Sequence, residues 1–267
     1  MQNIKNDLFH FALGDDGIGI FTINQVNNPT NLFSTGFIQE YLKVAHEAIA
    51  DDSVRGMIIT SGRSMFMPGA DLRELKTMGG RAAEQFKGMM EMHAAFRAIE
   101  TGGKPFVAAI NGTAMGGGLE LCMACHHRIV LNNIKIKLGF PESKVGLLPG
   151  GGGTVKLPYL MGLQNALMYL MQGKEVRPPQ AVKDGLVDDT AETPDELIAK
   201  AKDWIHNNPK PVQPWDNKKH RMPGGSFWSP GGVQTMVGAM GNLTKMAHGT
   251  IIRRKITSSK WCMTGCR

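Results

Sequence analysis

Two glycine-rich stretches, each close to a glutamate, place the tightest limits on how this chain can fold. The run 116–118 leads into Glu120, and Glu142 shortly precedes the run 150–153. Glycine amides have no side chain to shield them, and the residues from 119 to 129 are compatible with a helix. The amides of the first stretch can therefore point at a ligand with the positive end of a helix dipole behind them. This pattern predicts a site that holds an oxyanion.

The two glutamates are candidates for proton transfer at that site. Glu120 falls on the first turn of the predicted helix, and Glu142 falls on a separate loop. Carboxyl groups that approach one ligand from different sides can serve as acid and base beside a stabilised enolate. Each residue also has a purely structural interpretation. Glu120 would then complement the helix dipole, an effect worth roughly 0.3–1 kcal/mol, and Glu142 would be a solvated loop residue.

Composition favours one globular unit the size of an enzyme. The chain has 267 residues, of which 42% are hydrophobic, enough to bury a sizeable core. No apolar leader follows the first residues and no run of 18 apolar residues occurs, so we expect a soluble, cytoplasmic protein without membrane association. The net charge of +7 arises from residues 201–267, which hold 11 Lys or Arg and 2 Asp or Glu. These positive charges are scattered and accompany no recognised nucleic-acid module, so we expect no nucleic-acid partner.

Known linear motifs for metals, nucleotides and nucleophiles are weak or absent in the sequence. Cys122 and Cys125, with Cys262 and Cys266, would suit a zinc site, but small apolar residues surround the first pair, which favours core packing and no metal. Leu121 stands where a dinucleotide-binding fingerprint needs its third glycine. A phosphate-binding loop, a serine nucleophile elbow and a zinc-protease helix motif do not occur.

Apolar periodicity predicts alternating strands and helices, and hence an α/β fold. The predicted strands are 8–13 and 18–23, which form a hairpin, followed by 54–60, 106–110 and 128–131. The predicted helices are 35–51, 81–100, 119–129, 163–171, 192–205 and 231–252. A segment rich in Pro, Gly and Trp begins near 205–210. We therefore predict a catalytic core over 1–205 and a helical or linker region over 206–267.

The helix predicted over 81–100 carries an unusually large apolar stripe. Its members are Phe86, Met89, Met90, His93, Phe96 and Ile99. Methionine fills irregular gaps in a core, and it also forms adaptable pockets for alkyl chains. We favour a core role for most of the stripe and keep the pocket as the alternative.

Several linked motifs resemble one family. They are 67–72 (Met-Pro-Gly-Ala-Asp-Leu), 111–120, 140–142 (Phe-Pro-Glu) and 146–154. Together they resemble the enoyl-CoA hydratase/isomerase, or crotonase, superfamily, with a match in order from about residue 10 to 190. The segment 210–216 is similar to the one that follows the hydratase domain in α-subunits of multifunctional fatty-acid oxidation enzymes. The resemblance implies a crotonase-like spiral of β-β-α units with a helical C-terminal region.

The resemblance also implies roles for individual residues. The amides of Ala70 and Gly117 would form an oxyanion hole for a thioester carbonyl, although both also suit tight turns. Glu142 would protonate the α-carbon, and Glu120 would activate the water that adds to the β-carbon. The further substrate-binding residues implied by the family are Met67, Gly69, Asp71, Arg73 and Gly116, with Arg73 contacting the nucleotide part of coenzyme A. Coenzyme A would enter as part of the substrate, so no separate cofactor is expected.

Three functions are compatible with this resemblance. The one we favour is hydration of trans-2-enoyl-CoA thioesters in fatty-acid β-oxidation, because both glutamates are present. The others are an enoyl-CoA isomerase, and an inactive module that binds coenzyme A or supports assembly. The family implies a homotrimer or hexamer, with a fatty-acid oxidation complex as a partner. The end of the chain, 253–267, resembles nothing in the family and is either a disordered tail or a reading-frame remnant.

Overall fold

A seven-stranded sheet lies at the centre of the computed structural model, which describes residues 1–71, 73–74 and 82–248, the last seven as backbone only. Its strands run in the order β1-β2-β3-β4-β5-β7-β10, and β6, β8 and β9 form a second small sheet. The strands are β1 (Ile4–Lys5), β2 (Phe9–Leu13), β3 (Ile18–Ile23), β4 (Gly56–Ser61), β5 (Phe106–Ile110), β6 (Ala114–Met115), β7 (His127–Leu131), β8 (Leu138–Gly139), β9 (Glu175–Val176) and β10 (Asp189–Ala191).

Seven α-helices in the described part of the chain alternate with these strands. They are α1 (Thr35–Ala50), α2 (Ala82–Thr101), α3 (Gly117–Ala124), α4 (Gly153–Gln172), α5 (Pro178–Asp184), α6 (Pro194–Asn207) and α7 (Pro230–His248). Two short 3-10 helices cover Pro141–Val145 and Pro214–Asp216. None of the helices described combines the length and the apolarity needed to span a bilayer.

The predicted N-terminal hairpin is confirmed. Strands β2 and β3 are antiparallel, with Phe9 opposite Ile23, and the amide of Gly17 donates to the carbonyl of Gly14 across the turn at 2.9 Å. Gly17 has a φ of 75°, which side-chain-bearing residues rarely adopt. From β3 onwards through β4, β5, β7 and β10 the strands are parallel.

Helices cover both faces of the parallel strands, so the sequences of these strands are nearly continuous runs of apolar residues. One face packs in the main core against α1, α2 and α3, and the other packs against α6. All five residues of β5 are buried, as expected for a strand covered on both sides. The predicted α/β, crotonase-like fold is therefore confirmed.

The helix predicted over 119–129 is shorter than expected. It ends at Ala124, because the amide of His126 donates to the carbonyl of Phe106 at 2.8 Å and residues 127–131 pair with β5 as strand β7. The predicted strand 128–131 is confirmed and begins one residue earlier, at His127, because pairing with β5 takes these residues out of the helix. Cys122 and Cys125 lie in the core, as the core-packing interpretation predicts, and their thiols contact main-chain carbonyls one turn earlier. Cys262 and Cys266 lie outside the described residues.

The core role predicted for most of the apolar stripe on α2 is wrong for its N-terminal half. Phe96 and Ile99 are buried, whereas Phe86 is 68% exposed and Met89 and Met90 are also exposed. Only the C-terminal half of this helix contacts the core, so the apolar residues of its N-terminal half face outward. For these three residues the alternative interpretation, an apolar pocket for an alkyl chain, remains.

The segment after α6 packs back onto the core. The side-chain amide of Gln213 is buried and donates to the carbonyls of Ala124 and Cys125 at 3.3 and 3.1 Å. These acceptors lie at the C-terminal end of α3, whose last carbonyls have no partner within the helix. Helix α7 covers most of the predicted segment 231–252, and the unmatched end of the chain, 253–267, lies outside the described residues.

Candidate active site

The second sheet places the two glutamates on neighbouring elements. Strand β6 pairs with β8, and the amide of Gly116 donates to the carbonyl of Gly139 at 3.0 Å. Helix α3, with Glu120 on its first turn, begins directly after Gly116. Glu142 follows β8 on a 3-10 helix and not on the irregular loop that the sequence predicts. One pair of short strands therefore brings both carboxyl groups to the same place.

Gly116 contacts the Glu142 carboxyl group directly. A Cβ atom built on Gly116 would lie 2.5 Å from Oε1 of Glu142, closer than real carbon atoms approach an oxygen. Gly116 also has a φ of 52°, in the region that favours glycine. The other oxygen of Glu142, Oε2, is buried and has no hydrogen-bond partner within the described part of the chain. A buried carboxyl oxygen without a partner is costly, which is typical of a group poised to act on a ligand.

Glu120 lies beneath the second glycine run. It is 3% exposed, and its Oε1 accepts a hydrogen bond from the amide of Gly153 at 2.8 Å. Cβ atoms at Gly151 and Gly153 would lie 2.9 and 3.1 Å from its carboxyl oxygens. The absence of side chains in the glycine turn is therefore what allows the turn to close over this carboxyl group.

Burial controls the protonation of both glutamates. It raises the pKa of Glu120 to about 7. Hydrogen bonds from the amides of Gly153 and Gly151 lower this pKa. The charge of Glu142 raises it further, and the charge of Lys156 lowers it. Burial also raises the pKa of Glu142. Two interacting carboxyl groups that titrate towards neutral pH can exist as one acid and one carboxylate, the combination that acid–base catalysis requires.

Ala70 and Gly117 each present a main-chain amide without an internal acceptor. In the parallel bridge to Phe33, the amide of Phe33 donates to Gly69 and the amide of Asp71 donates to Phe33, so the amide of Ala70 points away. Gly117 is the first residue of α3, where helix amides have no acceptor within the helix. Among the described residues, neither amide finds an acceptor elsewhere.

Phe33 links the two amide-bearing segments, and the sequence analysis misses it. Its backbone pairs with Ala70, and its ring carbon Cδ1 would lie 3.0 Å from a Cβ atom built on Gly117. A second bridge, Met67 with Ala114, holds the same segments side by side, with main-chain hydrogen bonds of 3.0 Å. No local pattern marks Phe33, because its partners lie far away in sequence.

The remaining predicted substrate-binding residues divide into two groups. Met67, Gly69 and Gly116 belong to the paired segments beside the glutamates, and Gly69 adopts a φ of 142°. Asp71 and Arg73 form an ion pair with each other at 2.8 Å, and the Arg73 side chain is 75% exposed. The guanidinium group of Arg73 is thus at the surface. No group of three or more metal-ligating side chains is clustered among the residues that the structure describes.

Comparison with known proteins agrees with this architecture. The family model for enoyl-CoA hydratase/isomerase matches residues 15–213. The fatty acid oxidation complex subunit alpha of Shewanella frigidimarina is 41% identical over 202 residues, which cover 73% of this chain and 28% of that protein. The subunit of the same name from Idiomarina loihiensis is 38% identical over 212 residues, covering 79% of this chain and 30% of that protein. The chain therefore spans less than a third of the length of these relatives.

Solved structures show the same fold. The enoyl-CoA hydratase of Geobacillus kaustophilus HTA426 superposes with a TM-score of 0.70 at 22% identity, and the alignment covers 97% of this chain and 96% of that one. The enoyl-CoA hydratase of Bacillus anthracis superposes with a TM-score of 0.67 at 26% identity, covering 74% and 75%. With a family match over most of its length and this shared fold, the chain belongs to the enoyl-CoA hydratase/isomerase family.

Proposed function

We propose that this chain hydrates trans-2-enoyl-CoA thioesters. The observation that carries the proposal is the pair of carboxyl groups, Glu120 and Glu142, which interact electrostatically and are each held by glycine contacts, beside two main-chain amides without acceptors among the described residues. Addition of water to a conjugated thioester needs a base for the water, an acid for the α-carbon and donors for the developing oxyanion. The site contains one candidate for each of these tasks.

In the proposed mechanism, the thioester carbonyl oxygen accepts hydrogen bonds from the amides of Ala70 and Gly117. Ionised Glu120 takes a proton from water as the water oxygen bonds to the β-carbon, and the electrons of the double bond move to the thioester oxygen. Protonated Glu142 then delivers its proton to the α-carbon as the carbonyl re-forms. Proton exchange between the two carboxyl groups restores the starting state.

The amides supply stabilisation that grows along the reaction. Negative charge on the thioester oxygen is larger in the transition state than in the substrate, so fixed donors lower the barrier more than they strengthen substrate binding. Loss of one such donor typically costs on the order of 10²–10³ in rate. The dipole of α3, whose first residue is Gly117, adds to this effect.

Isomerisation of a 3-enoyl-CoA is the second candidate, since the family description covers both reactions. Moving a double bond transfers a proton between two carbons and needs no activated water, so one carboxyl group suffices. The hydrogen bond that orients Glu120 favours hydration, because a buried second carboxyl group is costly to keep without a use. An inactive module that binds coenzyme A is the remaining alternative.

The relatives' name suggests the setting for this activity. We place the chain in fatty-acid β-oxidation in the cytoplasm, as a homotrimer or hexamer within a fatty-acid oxidation complex. Coenzyme A would be part of the substrate, and no separate cofactor is proposed. The Met89 methyl carbon lies 3.6 Å from a Cβ position on Gly150, so the exposed apolar residues of α2 adjoin the glycine turn over Glu120. An alkyl chain leaving the site would contact them.

A comparison of two substrates separates the candidates. Purified chain, its Glu120→Gln variant and a control, Glu47→Gln on the exposed side of α1, would be assayed with a trans-2-enoyl-CoA and a 3-enoyl-CoA. We expect hydration by the unmodified chain and the control, and a loss of about 10²–10⁴-fold in Glu120→Gln. Turnover of the 3-enoyl substrate alone, unaffected by this substitution, would establish the isomerase. Binding of both substrates without turnover would leave the inactive module.

A further inference from the structure

A buried cation lies behind Glu120. Lys156 is on the first turn of α4, and its side chain is 10% exposed. Its ammonium group pairs with the carboxylate of Glu100 on α2 and lies 5.5 Å from the ring centroid of Phe96 and 5.4 Å from that of Trp215. Buried lysines are rare unless they are paired. The residue is thus fixed by an ion pair and two aromatic faces.

The Glu100 carboxylate joins this cation to the segment after α6. It also pairs with Arg97, and it accepts a hydrogen bond from the indole nitrogen of Trp215 at 3.2 Å. Arg97 in turn makes two hydrogen bonds of 2.9 Å with the carboxylate of Asp216. Two cations and two carboxylates therefore alternate, so Glu100 is shared and does not fully neutralise Lys156.

Lys156 and Glu120 lie under the same glycine turn. A Cβ atom on Gly152 would lie 3.1 Å from Cε of Lys156 and 3.5 Å from its nitrogen. A Cβ atom on the preceding residue, Gly151, would lie 2.9 Å from Oε2 of Glu120. Adjacent positions of one turn thus cover the ammonium group and the carboxyl group, which places a positive charge beside the group that must act as a base.

We propose that Lys156 is a positioning residue, which holds the turn 150–153 over Glu120 and places its positive charge beside that carboxyl group. The catalytic consequence rests on the function proposed above, whereas the charge effect is a property of the folded chain. The network through Glu100, Trp215 and Asp216 would keep the ammonium group in place. The residues after α6 would thereby support the site, although they lie outside it in sequence.

Two charged side chains act on Glu120, and two further charged residues lie on the elements packed around it. Glu142 approaches from the 3-10 helix and favours the protonated form, whereas Lys156 approaches from α4 and favours the ionised form. Glu100 on α2 stands beyond Lys156 and pairs with it. On the β7 side, Arg128 pairs with Asp188 and donates to the carbonyl of Cys125 at 2.9 Å. The amides of Gly153 and Gly151 oppose the effect of burial most strongly, and the Lys156 ammonium is the charged side chain that acts in the same direction.

The test is an NMR titration of isotopically labelled glutamate carboxyl carbons, with the Glu120 signal assigned from Glu120→Gln. We expect Lys156→Met to shift the titration midpoint of Glu120 to higher pH, because a neighbouring positive charge is removed. Lys156→Arg keeps the charge, so its midpoint should stay close to that of the unmodified chain. The acid limb of the hydration rate should move to higher pH in Lys156→Met and not in Lys156→Arg.

A double variant guards against the unpaired carboxylate that Lys156→Met leaves behind. In Lys156→Met/Glu100→Gln both members of the ion pair are neutral, which is often tolerated in a buried site. We expect this variant to raise the midpoint as well. An unchanged midpoint in both the single and the double variant, with the fold intact, would overturn the proposal. The titration does not depend on turnover, so failure of the hydration assay alone would count against the proposed function and not against this inference.

Discussion

At Gly116 the fold leaves no room for a side chain. The positive φ and the contact with Oε1 of Glu142 both require glycine. At Gly151 and Gly153 the close contact with Glu120 alone disfavours a side chain. Main-chain shape at three glycines therefore sets where the two carboxyl groups stand, and small displacements there matter because catalysis depends on alignment at the ångström level.

We predict that Gly116→Ala lowers hydration about 10²-fold, because the new methyl group displaces the Glu142 carboxyl group. The matched control is Gly238→Ala on α7, where a Cβ meets nothing within 4 Å and alanine should stabilise the helix by about 0.5–1 kcal/mol. Initial rates of both variants measure the effect. Full activity in Gly116→Ala would show that Glu142 need not occupy this position.

The raised pKa of Glu120 predicts a specific dependence of stability on pH. Its pKa of about 7 when folded exceeds the ordinary value of 4.5, so between these values the folded chain binds more protons than the unfolded chain. Stability conferred at low pH is therefore lost as pH rises through this window.

Glu120→Gln removes that loss, since glutamine does not ionise. We expect the variant to gain stability relative to the unmodified chain at pH above about 7, by on the order of 3 kcal/mol, and to gain little near pH 4. Urea unfolding at both pH values measures the difference. The same stability change at both pH values would contradict the assignment of this pKa to Glu120.

Some site residues are visible in the sequence and others are not. Glu120 and Glu142 stand next to glycine and proline signals, so a linear motif suffices to find them. Phe33 and Lys156 carry no such mark, because their roles come from contacts with segments distant along the chain, such as Ala70 and Glu100. Residue-scale prediction from sequence therefore finds the glutamates proposed to react and misses the residues that contact and support them.

At the scale of elements, strand pairing determines the secondary structure of segments whose local sequence pattern suits both helix and strand. Strands β4 and β5 are predictable because they are short apolar runs, buried on both faces. The end of α3 is not, since the predicted helix 119–129 and the predicted strand 128–131 overlap, and the pairing of residues 127–130 with β5 fixes where the helix must stop. The exposed half of α2 is also unpredictable, because periodicity shows an apolar face and not what covers it.

Helix α4 has a break that ties it to the region after α6. Gly162 adopts a φ of 77°, and a Cβ there would overlap the carbonyl oxygen of Pro223. Gly103 has the same φ of 77°, yet a Cβ there meets nothing within 4 Å. The two positions therefore share a positive φ, while Gly162 also has a ψ of 162°, which only glycine adopts readily, and the clash with Pro223.

We predict that Gly162→Ala destabilises the chain by about 1–3 kcal/mol more than Gly103→Ala does, the cost of overpacking. The strain from positive φ, about 1–2 kcal/mol, should appear in both variants. Chemical unfolding of the two variants gives the comparison. Equal stability would mean that the Pro223 segment does not pack against the break in α4.

At the scale of the whole molecule, this chain is similar to one part of longer relatives, and residues at and beyond the end of the family match, at 213, pack onto its core. Gln213 and Trp215 bind α3 and α2, as described above. Further on, large apolar side chains are exposed, with Trp228 at 83% and Val237 at 67%. Exposed apolar surface of this kind is typical of an interface between proteins.

We predict that the chain assembles as a trimer or hexamer with this surface at an interface. Light scattering after gel filtration should give three or six times the mass of one chain. Val237→Glu should lower that mass, because a charge would be buried at the interface, while the unfolding of the separate chain changes little. A monomer of the unmodified chain at micromolar concentration would contradict this prediction.

The proposed hydration depends most directly on Glu142, the acid that completes the reaction. The decisive measurement is the initial rate at which the purified chain and its Glu142→Gln variant remove the conjugated thioester absorbance of a trans-2-enoyl-CoA, with acyl-CoA affinity measured alongside by calorimetry. We predict turnover by the unmodified chain, a loss of about 10²–10⁴-fold in the variant, and similar affinity in both. Undiminished turnover by Glu142→Gln would contradict the proposed chemistry.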